Sequence, residues 1–126
     1  MKIFLDDYRV PTDCINYMPY RIGNKVAIYS HKWEIAKNYQ EFVKLVEKYS
    51  GLITDVSFDH DLSDEHYKID FKDWEDNSSD ILNVEKTGYD CAVWMKQYFE
   101  ENNLSLPNIY VHSMNPVGTE KIKKVF

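Results

Sequence analysis

LITDVSFDHDL, residues 52–62, begins as an apolar strand and ends abruptly in three ionisable side chains. Ile53, Val56 and Phe58 supply the apolar content of a strand read over Leu52–Asp59. Asp59-His60-Asp61 then stands at its carboxyl end, and two carboxylates around an imidazole are too costly to bury to serve as packing. Upstream, Ile35, Tyr39, Phe42, Val46 and Tyr49 recur at three- and four-residue spacing. That periodicity predicts an amphipathic helix from about Trp33 to Tyr49, closed near Ser50-Gly51. Further back, Lys2–Leu5 reads as a strand that stops at Asp6-Asp7, and Lys25–Ser30 (KVAIYS) reads as a second strand.

Downstream, Thr87-Gly88-Tyr89-Asp90 has the pattern of a capping box, with Thr87 at the N-cap. It opens a helix whose stripe is Cys91, Met95, Tyr98 and Phe99, fraying at Asn102-Asn103. Pro107 precedes a strand over Ile109–His112, and Asn115-Pro116 supplies an N-cap and a proline for a last short helix toward Phe126. The order β β α β, insert, α β α implies βαβ units with right-handed crossovers. The predicted architecture is a small three-layer α/β sandwich of about four mainly parallel strands.

The chain has 126 residues, the size of one domain, 1–126, and such a domain buries about two-thirds of its unfolded surface. An apolar fraction of 44%, a charged fraction of 29%, and only 4 Gly and 4 Pro exclude a disordered or fibrous protein. No apolar run approaches the ~20 residues of a membrane span. The net charge of −6 argues against a protein held in bulk to nucleic-acid phosphates. Most of that charge lies in residues 63–80, where 7 acids face 2 bases. The acidic insertion at about 63–86 reads as a solvated loop or as a lid, with Tyr67, Phe71 and Trp74 packing part of it. Cys14 and Cys91 are isolated, which suits a reducing cytoplasm, and MKIFLDD turns acidic too early for a signal peptide.

Three polar clusters each follow a predicted strand: Asp6-Asp7-Tyr8-Arg9, Asp59-His60-Asp61 and His112-Ser113-Met114-Asn115. Carboxyl ends of neighbouring parallel strands converge on one edge, where ligands bind. Taken singly, Asp6-Asp7 also suits a plain strand-ending turn, Arg9 a counter-charge for either aspartate, and His112 a core histidine. His31 and His66 carry no assigned role, and Tyr8, Trp33 and Trp94 are assigned to packing. Jointly, the clusters offer imidazoles for acid–base work near neutral pH. Clustered carboxylates suit Mg²⁺, or else Mn²⁺ or Ca²⁺, more than zinc. A guanidinium and a helix N-terminus at Asn115-Pro116 suit phosphate.

LDDYRVP, SFDHDL, TGYD and VHSMNPVG, in this order, resemble the cyclic-phosphate processing receiver-like domain, a divergent relative of the response-regulator receiver. The resemblance spans nearly the whole chain and implies a receiver- or flavodoxin-like sandwich. It also implies processing of cyclic phosphates, such as 2′,3′-cyclic RNA ends or cyclic nucleotides, by a phosphodiesterase. By that resemblance Asp6, Asp7 and Asp59 are the metal ligands, with Asp59 also at the phosphoacceptor position, and Ser113 matches the receiver hydroxyl. A fifth strand with its lysine is missing, which turns the expectation away from phosphorelay. His60, His112, Asp59 and Asp61 are then the expected catalytic groups, the acid and base between the two histidines left open. Arg9, Ser113 and Asn115 are expected to hold phosphate oxygens. The expected partner is a small phosphate-containing ligand or an RNA terminus. The alternative is a non-catalytic module that binds metal, nucleotide or a protein.

Overall fold

A computed structural model describes residues 1–62 and 86–126. Expectations for the acidic insertion and for His66 lie outside the described residues. Four parallel strands, β1 (Lys2–Leu5), β2 (Glu34–Ala36), β3 (Asp55–Phe58) and β4 (Asn108–Val111), form one sheet in the order β2-β1-β3-β4. The register pairs Leu5 with Phe58 and Phe58 with Val111. Each next residue, Asp6, Asp59 and His112, therefore emerges at the same edge. Backbone bonds extend the ladder there, from Asp59 N–H to Leu5 O (2.9 Å) and from His112 N–H to Phe58 O (3.0 Å).

Side chains alternate across a strand, so the sheet has two distinct faces. Ile3, Leu5, Val56, Phe58 and Val111 belong to the larger core. Helices α2 (Tyr39–Tyr49), α3 (Gly88–Glu101) and α4 (Pro116–Lys123) cover that face, contributing Phe42, Val46, Cys91, Met95, Phe99 and Ile122. Phe4 faces the other way, into a second core with Cys14, Met18, Tyr29 and Trp33. This face is covered by residues 11–30, which run as two 3-10 helices (Pro11–Asn16 and Gly23–Ser30) around the single-turn helix α1 (Pro19–Ile22).

Three expectations are corrected. KVAIYS is not a strand: its short run of apolar residues mimics one, but it winds as a 3-10 helix that carries Tyr29 into the second core. The strand beside β1 is Glu34–Ala36, pairing Phe4 with Ile35. Consequently α2 starts at Tyr39 rather than near Trp33, because Asn38, in an extended conformation, caps Glu41 N–H with its Oδ1 (2.8 Å). Ile35 matches the helical spacing but lies on a strand. The third strand is shorter than Leu52–Asp59, with Ser50–Leu52 in a 3-10 turn before it. The caps at Thr87 and Asn115 stand as expected.

Candidate functional site

Asp6 is fixed on both oxygens. Oδ1 accepts from the backbone N–H of Tyr8 (2.9 Å) and Arg9 (2.8 Å), an Asx-type turn that follows from an aspartate at a strand end. Oδ2 faces His112 Nε2 at 3.0 Å and Arg9 Nε at 3.4 Å. Burial alone would raise the Asp6 pKa, but the His112 hydrogen bond and the Arg9 and Tyr8 N–H groups outweigh it and hold the carboxyl below its usual range.

Asp59 is the contrasting carboxylate. Burial, reinforced by the neighbouring Asp6, pushes its pKa up to about 7 against the pull of Arg9 and His60 N–H. Arg9 spans the two aspartates, with Nη2 at 3.7 Å from Asp59 Oδ1. Its Nη1 donates to Tyr17 Oη (2.7 Å) and to His112 O (3.2 Å), and Tyr17 in turn donates to that carbonyl (2.7 Å).

His60 and Asp61 form a pair at the same edge, with Nδ1 at 2.9 Å from Oδ1. Asn115 Nδ2 donates to the other Asp61 oxygen (3.3 Å) while its Oδ1 caps α4 at Gly118 N–H (3.0 Å). Ser113 Oγ accepts from Asn115 N–H (3.1 Å). Residues from strand ends one, three and four are thus linked directly by side-chain bonds. An open cleft of about 330 Å³ is lined by Arg9, Asp59, Asp61, Ser113, Met114, Asn115 and Pro116.

His112 lies behind this cleft, fully buried, its ring stacked on Phe4 at 4.2 Å between centroids. Asp7 is exposed. Tyr8, assigned above to packing, is 90% exposed: its backbone closes the turn on Asp6 and leaves the ring in solvent. Trp33 packs in the second core, and Trp94 packs against Phe42 and Tyr98. One ligand atom each from Asp6, Asp59 and His112 lies within 4.8 Å of the others, and this group could hold a metal ion. The fit is chemical as well as spatial. Two buried carboxylates repel each other, as the raised Asp59 pKa records, and a cation between them relieves that repulsion.

Several residues of the site escape pattern reading. Tyr17 reaches Arg9 and His112 from the irregular segment. Ser57 is a fully buried polar residue between Val56 and Phe58, which is the one visible signal of its role. Gly88 and Gly118 allow close approach: a Cβ on the first would run into the Asp59 carbonyl oxygen, and on the second into the His60 ring. Gly88 N–H also bonds His60 O (2.8 Å). The starts of α3 and α4 therefore clamp the Asp59-His60-Asp61 loop from two sides.

A four-stranded parallel sheet with helices, carrying buried acidic groups at the carboxyl edge of β1 and β3, defines a receiver-like α/β domain. The chain belongs to the cyclic-phosphate processing receiver domain family, whose profile it matches over residues 1–126. Membership points to involvement in cyclic-phosphate processing. No curated protein and no solved structure matches the chain. Among the described residues, no helix is long and apolar enough to cross a membrane.

Proposed function

We propose that this domain is a metal-assisted phosphodiesterase that opens cyclic phosphates, with 2′,3′-cyclic RNA ends or cyclic nucleotides as substrates. The reading is carried by one observation: Arg9, Asp59, Asp61, Ser113 and Asn115, from three separate strand ends, line a single cleft beside a buried acidic group that could hold a metal. Asp6 and Asp59 would hold the cation, with Asp7 within reach along the chain; their oxygen chemistry favours Mg²⁺, with Mn²⁺ or Ca²⁺ as alternatives. Bound there, the cation would supply positive charge that polarises the phosphoryl oxygens.

Arg9, Ser113 and Asn115 bind the phosphate oxygens, Arg9 through its planar fork. His60, paired with the cleft residue Asp61, is the proton carrier. Asp61 fixes its Nδ1 and so orients the ring, the arrangement that sets an imidazole for acid–base work. Opening the ring consumes one water: its oxygen bonds to phosphorus, one P–O bond to the ribose breaks, and the water proton passes to a base. A proton delivered to the departing ribose oxygen completes the balance. Asp59 would stay ionised as a ligand of the cation, so His60 takes the water proton and returns it to that oxygen. His112 acts through Asp6, which it orients, and not by touching substrate.

The complete burial of His112 favours one rival, a non-catalytic module that binds nucleotide, metal or a protein partner, because among the described residues it leaves His60 as the one partly exposed imidazole at this sheet edge. Incubating the full chain with 2′,3′-cyclic nucleotides and Mg²⁺ or Mn²⁺ separates the two. Ring-opened product is expected. Binding without turnover would establish the module instead. His60→Ala is expected to lower turnover by about 10²–10⁴, and a fully active variant would remove His60 from the mechanism.

A further inference from the structure

The lining of the cleft is of two kinds. Arg9, Asp59, Asp61, Ser113 and Asn115 bring charged and polar groups to it, whereas Met114 and Pro116 bring apolar surface. Met114 is 61% exposed although Ser113 before it is buried, and Pro116 is exposed as well. The backbone beneath Met114 is tethered at both ends. Ser113 Oγ accepts from Asn115 N–H (3.1 Å), closing a turn with Met114 at its middle. Asn115 is held in turn by Asp61 and by its cap on Gly118 N–H. A long, unbranched thioether thus stands in solvent on a fixed base, able to adapt to a surface laid against it.

An exposed methionine alone is ordinary on a protein surface. Its position gives this one meaning, because it sits between two residues assigned above to phosphate oxygens, Ser113 and Asn115. A group esterified to a phosphate seated there lies only a few bonds from phosphorus, within reach of that side chain. Charge offers little further selection: among the described residues lining the cleft, Arg9 is the single cation against Asp59 and Asp61. Recognition beyond the phosphate is available from apolar contact at Met114 and Pro116. The cleft's volume of about 330 Å³ is at the small end of small-molecule sites, which suits one nucleotide and not a run of them. Sulfur over an aromatic ring is a favourable contact, and every base presents such a face.

We propose that Met114, with Pro116, is the substrate-specificity wall of the cleft: it packs against the base of a nucleoside cyclic phosphate whose phosphate lies on Arg9, Ser113 and Asn115. The domain therefore selects nucleoside esters over base-free cyclic phosphates. It discriminates weakly among bases, because a thioether reads a ring face and not the hydrogen-bonding edge. The inference rests on the reading of this cleft as a cyclic-phosphate site.

The test compares kcat/KM of the full chain, with Mn²⁺, on two esters: adenosine 2′,3′-cyclic phosphate and methyl riboside 2′,3′-cyclic phosphate, which carries methoxy in place of the base. Wild type is expected to prefer the adenosine ester, chiefly through KM. In Met114→Ala that preference should fall about 3–10-fold, the worth of a sulfur–aromatic contact, and Met114→Leu should restore most of it. Exposure of residue 114 keeps both substitutions clear of the core. A preference absent from wild type, unchanged in Met114→Ala, or lost as fully in Met114→Leu overturns the proposal and leaves the phosphodiesterase reading intact. Hydrolysis of neither ester overturns that reading instead, and calorimetric titration with the adenosine ester then decides the wall by itself. Binding about 3–10-fold weaker in Met114→Ala upholds it, and equal binding or none overturns it.

Discussion

The two faces of the sheet are built on opposite plans. On one, α2, α3 and α4 lay apolar stripes over Ile3, Leu5, Val56, Phe58 and Val111, and Phe42 meets Phe58 at 5.6 Å between ring centroids. On the other, 3-10 turns bring Tyr17 and Tyr29 to Phe4, Ser57 and His112, and the contacts are hydrogen bonds as much as van der Waals packing. An apolar face tolerates any side chain of suitable volume. A buried polar network fails when one partner goes, because the group left behind is desolvated and unpaired. Away from the first turns of α3 and α4, which seat the Asp59-His60-Asp61 loop, the helical face therefore supplies stability with little say in the chemistry. The irregular face fixes Asp6 and Arg9, and with them the geometry of the site.

Truncations on opposite faces test that division with the largest effects. Phe42→Ala and Phe4→Ala should each cost about 3–5 kcal/mol, the usual range for a buried Phe, as read by urea unfolding. Their consequences at the site should differ. Folded Phe42→Ala is expected to bind Mn²⁺ as wild type does, whereas Phe4→Ala removes the ring beneath His112 and should weaken binding about 10-fold or more. Equal metal affinities in the two variants would erase the distinction between the faces.

The next effect is smaller and depends on pH. Asp59 has a folded pKa near 7 against 3.8 ordinarily, so between about pH 4 and 7 the native state holds the proton that the unfolded chain has lost. Stability contributed by this group is present at low pH and is lost as pH rises through that window. Every tenfold difference in proton affinity between the folded and unfolded chain is worth about 1.4 kcal/mol. Asp59→Asn should therefore exceed wild type by a few kcal/mol at pH 8, with the gain fading toward pH 4. Asp6 has the opposite sign: its depressed pKa adds stability that is lost only on acidification below its ordinary range. A profile of unfolding free energy against pH for wild type and Asp59→Asn reads both. Parallel profiles would mean that Asp59 does not carry the strain of the paired carboxylates.

The same division decides what the sequence makes legible. β1, β3 and β4 are readable because each apolar run ends in charged or polar side chains, and parallel register then aligns Asp6, Asp59 and His112. Thr87 and Asn115 are legible because capping is local chemistry within four residues. Residues 23–30 are not, since the continuous apolar run V-A-I-Y reads like a short buried strand and only tertiary packing of Tyr29 selects the 3-10 form. The helix boundary at Asn38 is hidden by the coincident spacing of Ile35 and Tyr39, although Asn followed three residues later by Glu is itself a cap signal. Within the site, the aspartates, Arg9 and Asn115 are readable as strand-end polar groups. Tyr17 and Ser57 are not, because their partner His112 lies 95 and 55 residues away along the chain. No local pattern encodes such a contact.

Gly118 tests the smallest effect, and the comparison it sharpens is between stability and placement. It sits in the first turn of α4, where alanine is a better helix former by about 1 kcal/mol. A methyl there meets the His60 ring, an overpacking that costs about 1–3 kcal/mol. The two terms oppose each other, so Gly118→Ala should lose at most about 2 kcal/mol, far less than either Phe variant. The ring is what must move, and its Nδ1 then leaves Asp61. Turnover of a 2′,3′-cyclic nucleotide should consequently fall toward that of His60→Ala, while KM stays near wild type, because Arg9 and Asn115 are untouched. A Gly118→Ala enzyme with wild-type turnover would mean that the seat of His60 on α4 is packing alone and that the proton carrier lies elsewhere in the cleft.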